Sequence, residues 1–301
     1  MRYAVIDLGT NTFNLLIFEP DSEKTFKKII STKRSVKLGL GGINSNHLTQ
    51  DAMLRGERAI SSLYAVIEKY EVSKTFTYAT SAIRSAANGG DFKKIIESKF
   101  PLEITIISGE REAELIYKGV SLAVDFTDQP VLILDIGGGS NEFIIANNTG
   151  ILWKQSFNIG IARLIEHFHP SDPIKTNEIS EIENYLLHEL EPMFAAVKEN
   201  KASTLIGSSG SFETFADILE LQNSTNPACE IDLKQYNALH QTLVESTLEQ
   251  RRKMQGLVLM RTEMIVLASV LTQLVIKKAG ITKLIKADYS LKEGMISEIL
   301  G

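Results

Sequence analysis

Two runs of the chain share one pattern: an apolar stretch ending in Asp, a tight turn of small residues, then a second apolar stretch. The first reads Ala4-Val5-Ile6-Asp7-Leu8-Gly9-Thr10-Asn11-Thr12-Phe13-Asn14-Leu15-Leu16-Ile17. The second reads Leu132-Ile133-Leu134-Asp135-Ile136-Gly137-Gly138-Gly139-Ser140-Asn141-Glu142-Phe143-Ile144-Ile145. With Asp7 laid on Asp135 the copies stand 128 residues apart, a typical domain length. Each copy predicts a hairpin of two buried strands around a tight turn.

The pattern continues in parallel after each hairpin. After the first it predicts a strand over 26–37, an amphipathic helix over 49–70 and a strand over 75–79. A helix over 91–99, a strand over 102–107 and a helix over 109–122 follow. After the second it predicts a strand over 151–156, helices within 160–168 and 176–200, and a strand over 203–206. Further helices, a strand over 283–286 and a final helix over 290–300 complete the chain. Strands first and then alternating helix and strand, twice over, describe two duplicated α/β domains facing each other across a cleft. Their expected spans are 1–123 and 124–288, with the break near the polar stretch 125–130 and the tail 289–301 able to pack on the first. The stretch 260–276 reads as a core or dimer-interface helix.

Composition narrows the class. With 44% hydrophobic and 23% charged residues, 301 residues can bury a substantial core. One cysteine, Cys229, excludes a disulfide framework and a thiolate zinc site. The most apolar stretch, 264–276, is broken by Ser269, Thr272 and Gln273, so no membrane span is expected. Asp7 falls where a secretory signal would be apolar, and a cytoplasmic location is expected. The net charge of -5 argues against nonspecific nucleic-acid binding. Yet residues 1–122 hold 17 Lys and Arg against 14 Asp and Glu, a balance able to steer a polyanion. Lys27, Lys28, Lys33, Arg34 and Lys37 are the densest basic run, which fits either that role or the protection of an edge strand.

The two turns carry the chemistry. Glycines and small polar residues between buried strands let backbone N–H groups approach a ligand closely, and such groups bind phosphate oxygens. An Asp just before the turn is placed to hold hydrated Mg2+ beside those phosphates. His167 and His169 have metal-like spacing but lack a matching carboxylate, and read as a surface pair.

The loops resemble the two phosphate loops of the actin, sugar-kinase and chaperone-ATPase superfamily, whose domains are actin-like (ribonuclease H-like). Four segments narrow the resemblance to the exopolyphosphatase and guanosine pentaphosphate phosphohydrolase family. They are Val5 to Phe13 (VIDLGTNTF), Ala79 to Asn88 (ATSAIRSAAN), Ile107 to Val120 (ISGEREAELIYKGV) and Leu134 to Glu142 (LDIGGGSNE).

The resemblance implies hydrolysis of phosphoanhydrides by water. Such a reaction needs mainly in-line positioning and charge neutralisation. Glu112 stands where the family places the carboxylate that activates the water, and Glu142 is its second catalytic candidate. Asp135 and Asp7 are the implied magnesium ligands. Gly9, Thr10, Asn11, Thr80, Ser81, Arg84, Gly137, Gly138, Gly139 and Ser140 are the implied phosphate contacts. For Arg84 the alternative is an internal salt bridge. Gly207, Ser209, Gly210 and Ser211 match a turn that touches the nucleoside in the superfamily, or else form a strand-to-helix turn with Ser209 or Ser211 as N-cap. Glu110 and Glu114 read as stabilisers of their own helix.

Two positions depart from the family pattern. Arg261-Thr262-Glu263 stands where Arg-x-Asp is usual, and Lys292 replaces an Arg. Lys cannot reproduce a forked guanidinium contact, so substrate choice stays open between polyphosphate and guanosine pentaphosphate. A non-hydrolysing sensor of either ligand stays open beside the hydrolase. A phosphotransferase would need an acceptor pocket with an Asp base, and no such pocket is legible. A homodimer is expected.

Overall fold

The computed structural model describes residues 1–21, 25–221 and 226–301. It divides into two compact units, Met1–Gly119 with Leu291–Gly301, and Val120–Ser290. Each unit has its own apolar core.

In the first unit the chain runs β1 (Tyr3–Leu8), β2 (Thr12–Pro20), β3 (Phe26–Ser35), α1 (Gln50–Lys69), β4 (Lys74–Ala79), α2 (Ser81–Ser85), α3 (Gly89–Lys99), β5 (Ile104–Ile106) and α4 (Gly109–Ser121). The sheet order is β3-β2-β1-β4-β5, with β1, β4 and β5 parallel and the β1-β2-β3 meander antiparallel. The basic run therefore lies on or just past an edge strand, where charge discourages strand addition. Helix α1 forms because Thr49 caps it, accepting from Ala52 N at 3.2 Å, and because Ala52, Gly56, Ala59, Ile60, Leu63 and Ile67 make one buried stripe.

The second unit holds β6 (Val131–Ile136), β7 (Asn141–Asn147), β8 (Gly150–Phe157), α5 (Ile161–Phe168), α6 (Thr176–Glu189), α7 (Glu191–Asn200), β9 (Thr204–Ser208), α8 (Ser209–Ile218), β10 (Ala228–Ile231), α9 (Leu233–Glu245), α10 (Leu248–Arg252), α11 (Ile265–Lys278) and β11 (Lys283–Ala287). Its sheet, β8-β7-β6-β9-β11-β10, repeats the first sheet's order strand for strand and adds β10 at one edge. The expected duplication is thus present at the level of topology.

The helical stretch expected within 176–200 is two helices, α6 and α7. The break falls at Leu190, and Pro192 sits in the first turn of α7, where its missing N–H costs nothing and its ring blocks continuation of α6. Helix α11 is buried all round from Ile265 to Ile276, so it is a core helix of its unit. The last helix, α12 (Leu291–Leu300), belongs to the first unit. It lies so close to α4 that a Cβ on Gly294 would meet Leu115 O at 1.8 Å. Arg111 and Lys118 of α4 both pair with Glu298. No helix among the described residues is long and apolar enough to cross a membrane.

Candidate active site: carboxylates at the strand ends

In an open α/β sheet, ligands bind beyond the carboxyl ends of the parallel strands. In the first unit those are the ends of β1, β4 and β5. Asp7 faces Asn14 across the β1–β2 ladder and accepts from Asn14 Nδ2 at 2.9 Å. At the turn, Gly9 N donates to Thr12 O at 3.1 Å, and a Cβ on Gly9 would lie 2.8 Å from that oxygen. The carbonyls of Thr10 and Asn11 accept from Leu38 N and from Val36 N and Lys37 N. Because a trans peptide sets N–H opposite C=O, the N–H that follows Thr10 O, that of Asn11, turns away from the 36–38 segment.

Thr80 N donates to Leu8 O at 3.3 Å, tying the end of β4 to the end of β1. Ser81, the first residue of α2, is buried and its Oγ has no hydrogen-bond partner among the described residues. A buried, unsatisfied hydroxyl is costly unless something else supplies the partner. Glu112 occupies the first turn of α4, whose start Ser108 caps by accepting from Arg111 N at 3.1 Å. The side chain of Glu112 is 9% exposed and pairs with Arg84 Nη1 at 2.7 Å. Arg84 Nη1 also donates to Ile107 O at 3.1 Å. The internal salt bridge that was the alternative for Arg84 is therefore formed. Glu114, read as a helix stabiliser, pairs with Arg111 one turn away at 2.9 Å.

In the second unit Asp135 and Glu142 are direct partners in the β6–β7 ladder. The loop between them is braced from one side. Gly137 O accepts from Ile161 N, Gly138 O from Ala162 N, and Gly139 O from Gly160 N and Arg163 Nε. These bonds satisfy the N-terminus of α5 with loop carbonyls. By the same peptide geometry the N–H groups of Gly138, Gly139 and Ser140 turn away from α5. A Cβ on Gly137 would lie 2.4 Å from Ser140 O, so only glycine closes this turn. Asn141 completes the brace, accepting from Gly137 N and donating to Ile159 O.

Both carboxylates here are held by neutral hydroxyls. Ser140 Oγ and Ser156 Oγ each donate to Glu142 Oε1 at 2.7 Å. Asp135 Oδ2 accepts from Ser208 Oγ at 2.9 Å and from Ser209 Oγ and Ser290 Oγ at 2.5 Å. The sequence pattern missed Ser156, Ser208 and Ser290. Ser156 is visible only through its register opposite Glu142.

The turn 207–211 differs from its expected capping. Ser208, not Ser209 or Ser211, takes the N-cap position of α8, and it makes no side-chain cap bond because its hydroxyl goes to Asp135. Gly207 packs under the Phe212 ring and Gly210 under the Arg261 guanidinium, where a Cβ would meet Nη2 at 1.8 Å. Ser211 is buried. Burial pushes the Arg261 guanidinium below its ordinary pKa, opposed by Glu213 and Asp135. The His167 ring packs against Phe168 and Tyr185.

Among the described residues, no three His, Cys, Asp or Glu side chains converge as a self-sufficient metal cage. The donor set instead fits Mg2+, which keeps several waters and takes one or two carboxylates together with substrate phosphates. Asp135 has the chemistry for this, and Asp7 occupies the equivalent place in the first unit.

Two sheets of one strand order, each with a glycine turn and strand-end carboxylates, define an α/β protein of two actin-like domains. The chain belongs to the Ppx/GppA phosphatase family, whose model matches residues 16–301. It is similar to an exopolyphosphatase from Cytophaga hutchinsonii, with 36% identity and a TM-score of 0.95 over 100% of this chain and 98% of that one. An Aquifex aeolicus member of the Ppx/GppA family shares the fold at 23% identity and a TM-score of 0.79, covering 100% of this chain and 97% of that one.

Proposed function

We propose that this chain hydrolyses terminal phosphoanhydride bonds, releasing phosphate from inorganic polyphosphate, guanosine pentaphosphate or both. The observation that carries this reading is Glu112: a carboxylate buried in the first turn of a helix, at the ligand end of a parallel sheet, and oriented by Arg84. Its place in the first turn and its guanidinium partner orient the carboxylate, which would take a proton from an attacking water. Glu142, fixed by Ser140 and Ser156, is the second carboxylate assigned to the reaction.

The N–H face of residues 138–140 and the turn at 9–11 are assigned to the phosphoryl oxygens, with the unsatisfied hydroxyl of Ser81 as a side-chain donor and Thr80, whose own hydroxyl donates to Leu8 O at 3.4 Å, beside it. Arg84 supplies positive charge at the same strand ends. Asp135 would hold Mg2+, which when bound would neutralise phosphate charge, and Asp7 is assigned the equivalent duty in the first unit. The similarity to the Cytophaga exopolyphosphatase supports polyphosphate as substrate. A nucleoside contact at 207–211 would favour guanosine pentaphosphate.

The test is phosphate release, with magnesium, from long and short polyphosphate, guanosine pentaphosphate and ATP, with Glu112→Ala alongside. Release that disappears in the variant is expected; release that survives it removes Glu112 from the mechanism. A second reading, a polyphosphate- or alarmone-binding sensor, draws on the ion pair that already engages Glu112. Tight binding of either ligand with no release by the unaltered protein would establish it.

A further inference from the structure

Three serine hydroxyls converge on a single oxygen of Asp135. Ser208 stands at the end of β9, Ser209 opens α8, and Ser290 is the last residue of the second unit before the chain enters α12. Their oxygens lie 2.9, 2.5 and 2.5 Å from Oδ2. A carboxylate has about four acceptor sites over its two oxygens. The three bonds therefore fill one oxygen and leave the acceptor sites of Oδ1 without a donor among the described residues. Asp135 is 6% exposed, and Oδ1 keeps that access to solvent, so a small hydrated cation can reach it.

Two further features argue that the arrangement is selected for its hydroxyls. Ser209 has φ +67, a left-handed conformation that favours glycine, yet it is a serine whose hydroxyl reaches Asp135. Ser208 forgoes the capping bond its position offers and donates to the same oxygen. Both local preferences are overridden in the same direction.

We infer that Ser208, Ser209 and Ser290 are positioning residues that turn Asp135 so that Oδ1 faces a divalent cation. Arg or Lys in their place would hold the carboxylate equally well but would neutralise it and compete with the cation. Hydroxyls orient it without cancelling its charge, which is the role outer-shell donors play for metal-ligating side chains. The inference rests on the proposed metal duty of Asp135.

The experiment titrates Mn2+ alone into the folded protein, following free Mn2+ by electron paramagnetic resonance, for the unaltered chain and for Ser290→Ala, Ser290→Thr and Asp135→Asn. The expected result is one site that Asp135→Asn abolishes, that Ser290→Ala weakens about tenfold and that Ser290→Thr largely restores. The Mg2+ concentration for half-maximal phosphate release should rise in step in Ser290→Ala. If Asp135→Asn loses the site but Ser290→Ala binds Mn2+ normally, the positioning role is wrong and the metal assignment stands. A Ser290→Ala protein that differs only by a lower melting temperature overturns the positioning role in the same way. If Asp135→Asn binds as the unaltered chain does, or the unaltered chain binds none, the metal assignment itself fails and takes the inference with it.

Discussion

The two units place their carboxylates on the same strand ends and secure them by opposite means. In the first, Glu112 is held by a charged partner, Arg84, at 2.7 Å. In the second, Asp135 and Glu142 accept hydrogen bonds from five serine hydroxyls. An ion pair gives orientation and a local charge balance near zero. Hydroxyls give orientation without adding a positive charge of their own. One duplicated scaffold thus carries an ion-paired carboxylate in one copy and hydroxyl-held carboxylates in the other.

The largest effect that could break this comparison is on turnover. Glu112→Gln keeps the shape but removes the acceptor of the proton, and kcat is expected to fall roughly 10²–10⁴-fold in a phosphate-release assay. A fall below tenfold would mean that the ion pair is structural. Next comes the stability of the two holding modes. Arg84→Met removes the charged partner of a nearly buried carboxylate and should cost about 2–3 kcal/mol by urea denaturation, more than the roughly 1–2 kcal/mol expected for Ser156→Ala, which leaves Glu142 the Ser140 bond. Equal costs would erase the distinction between charged and neutral support.

The turns offer a finer contrast. A Cβ would meet a carbonyl at 2.4 Å in Gly137→Ala but at 2.8 Å in Gly9→Ala. Both should destabilise by about 1–3 kcal/mol, with Gly137→Ala the worse.

The smallest effect separates the units by pH. Burial, reinforced by Lys277, lowers the His240 pKa to about 4 from 6.5. Between those values the unfolded chain binds the proton and the folded chain does not. Stability is therefore unaffected above pH 6.5, declines as pH falls toward 4, and is flat with respect to this group below that. Allowing for its partial exposure, the loss is about 1–2 kcal/mol, read as a lower melting temperature of the second unit that His240→Gln abolishes.

Much of this architecture is legible in the chain. The repeat built on Asp7 and Asp135 follows from periodicity, because buried strands and glycine turns are local requirements of the backbone. Glu112, Glu142 and Asp135 stand out through motif spacing that resembles a known family. Ser156 and Ser290 do not: one meets Glu142 only through strand register, the other meets Asp135 across 155 residues of chain. Serine is too common for its position to signal such a bond. The break at Leu190 is readable from Pro192 but is masked by the continuous apolar period on either side.

By itself the sequence determined the duplicated strand–turn–strand units, their helix and strand succession and the residue types able to bind phosphate, since each depends on neighbours within a few positions. Tertiary structure decided the distant partners of each carboxylate: Arg84 for Glu112, Ser208, Ser209 and Ser290 for Asp135, and Ser156 for Glu142. Those choices arise where the ends of separate strands meet, and hydrogen-bond geometry over about 3 Å leaves no trace in linear spacing.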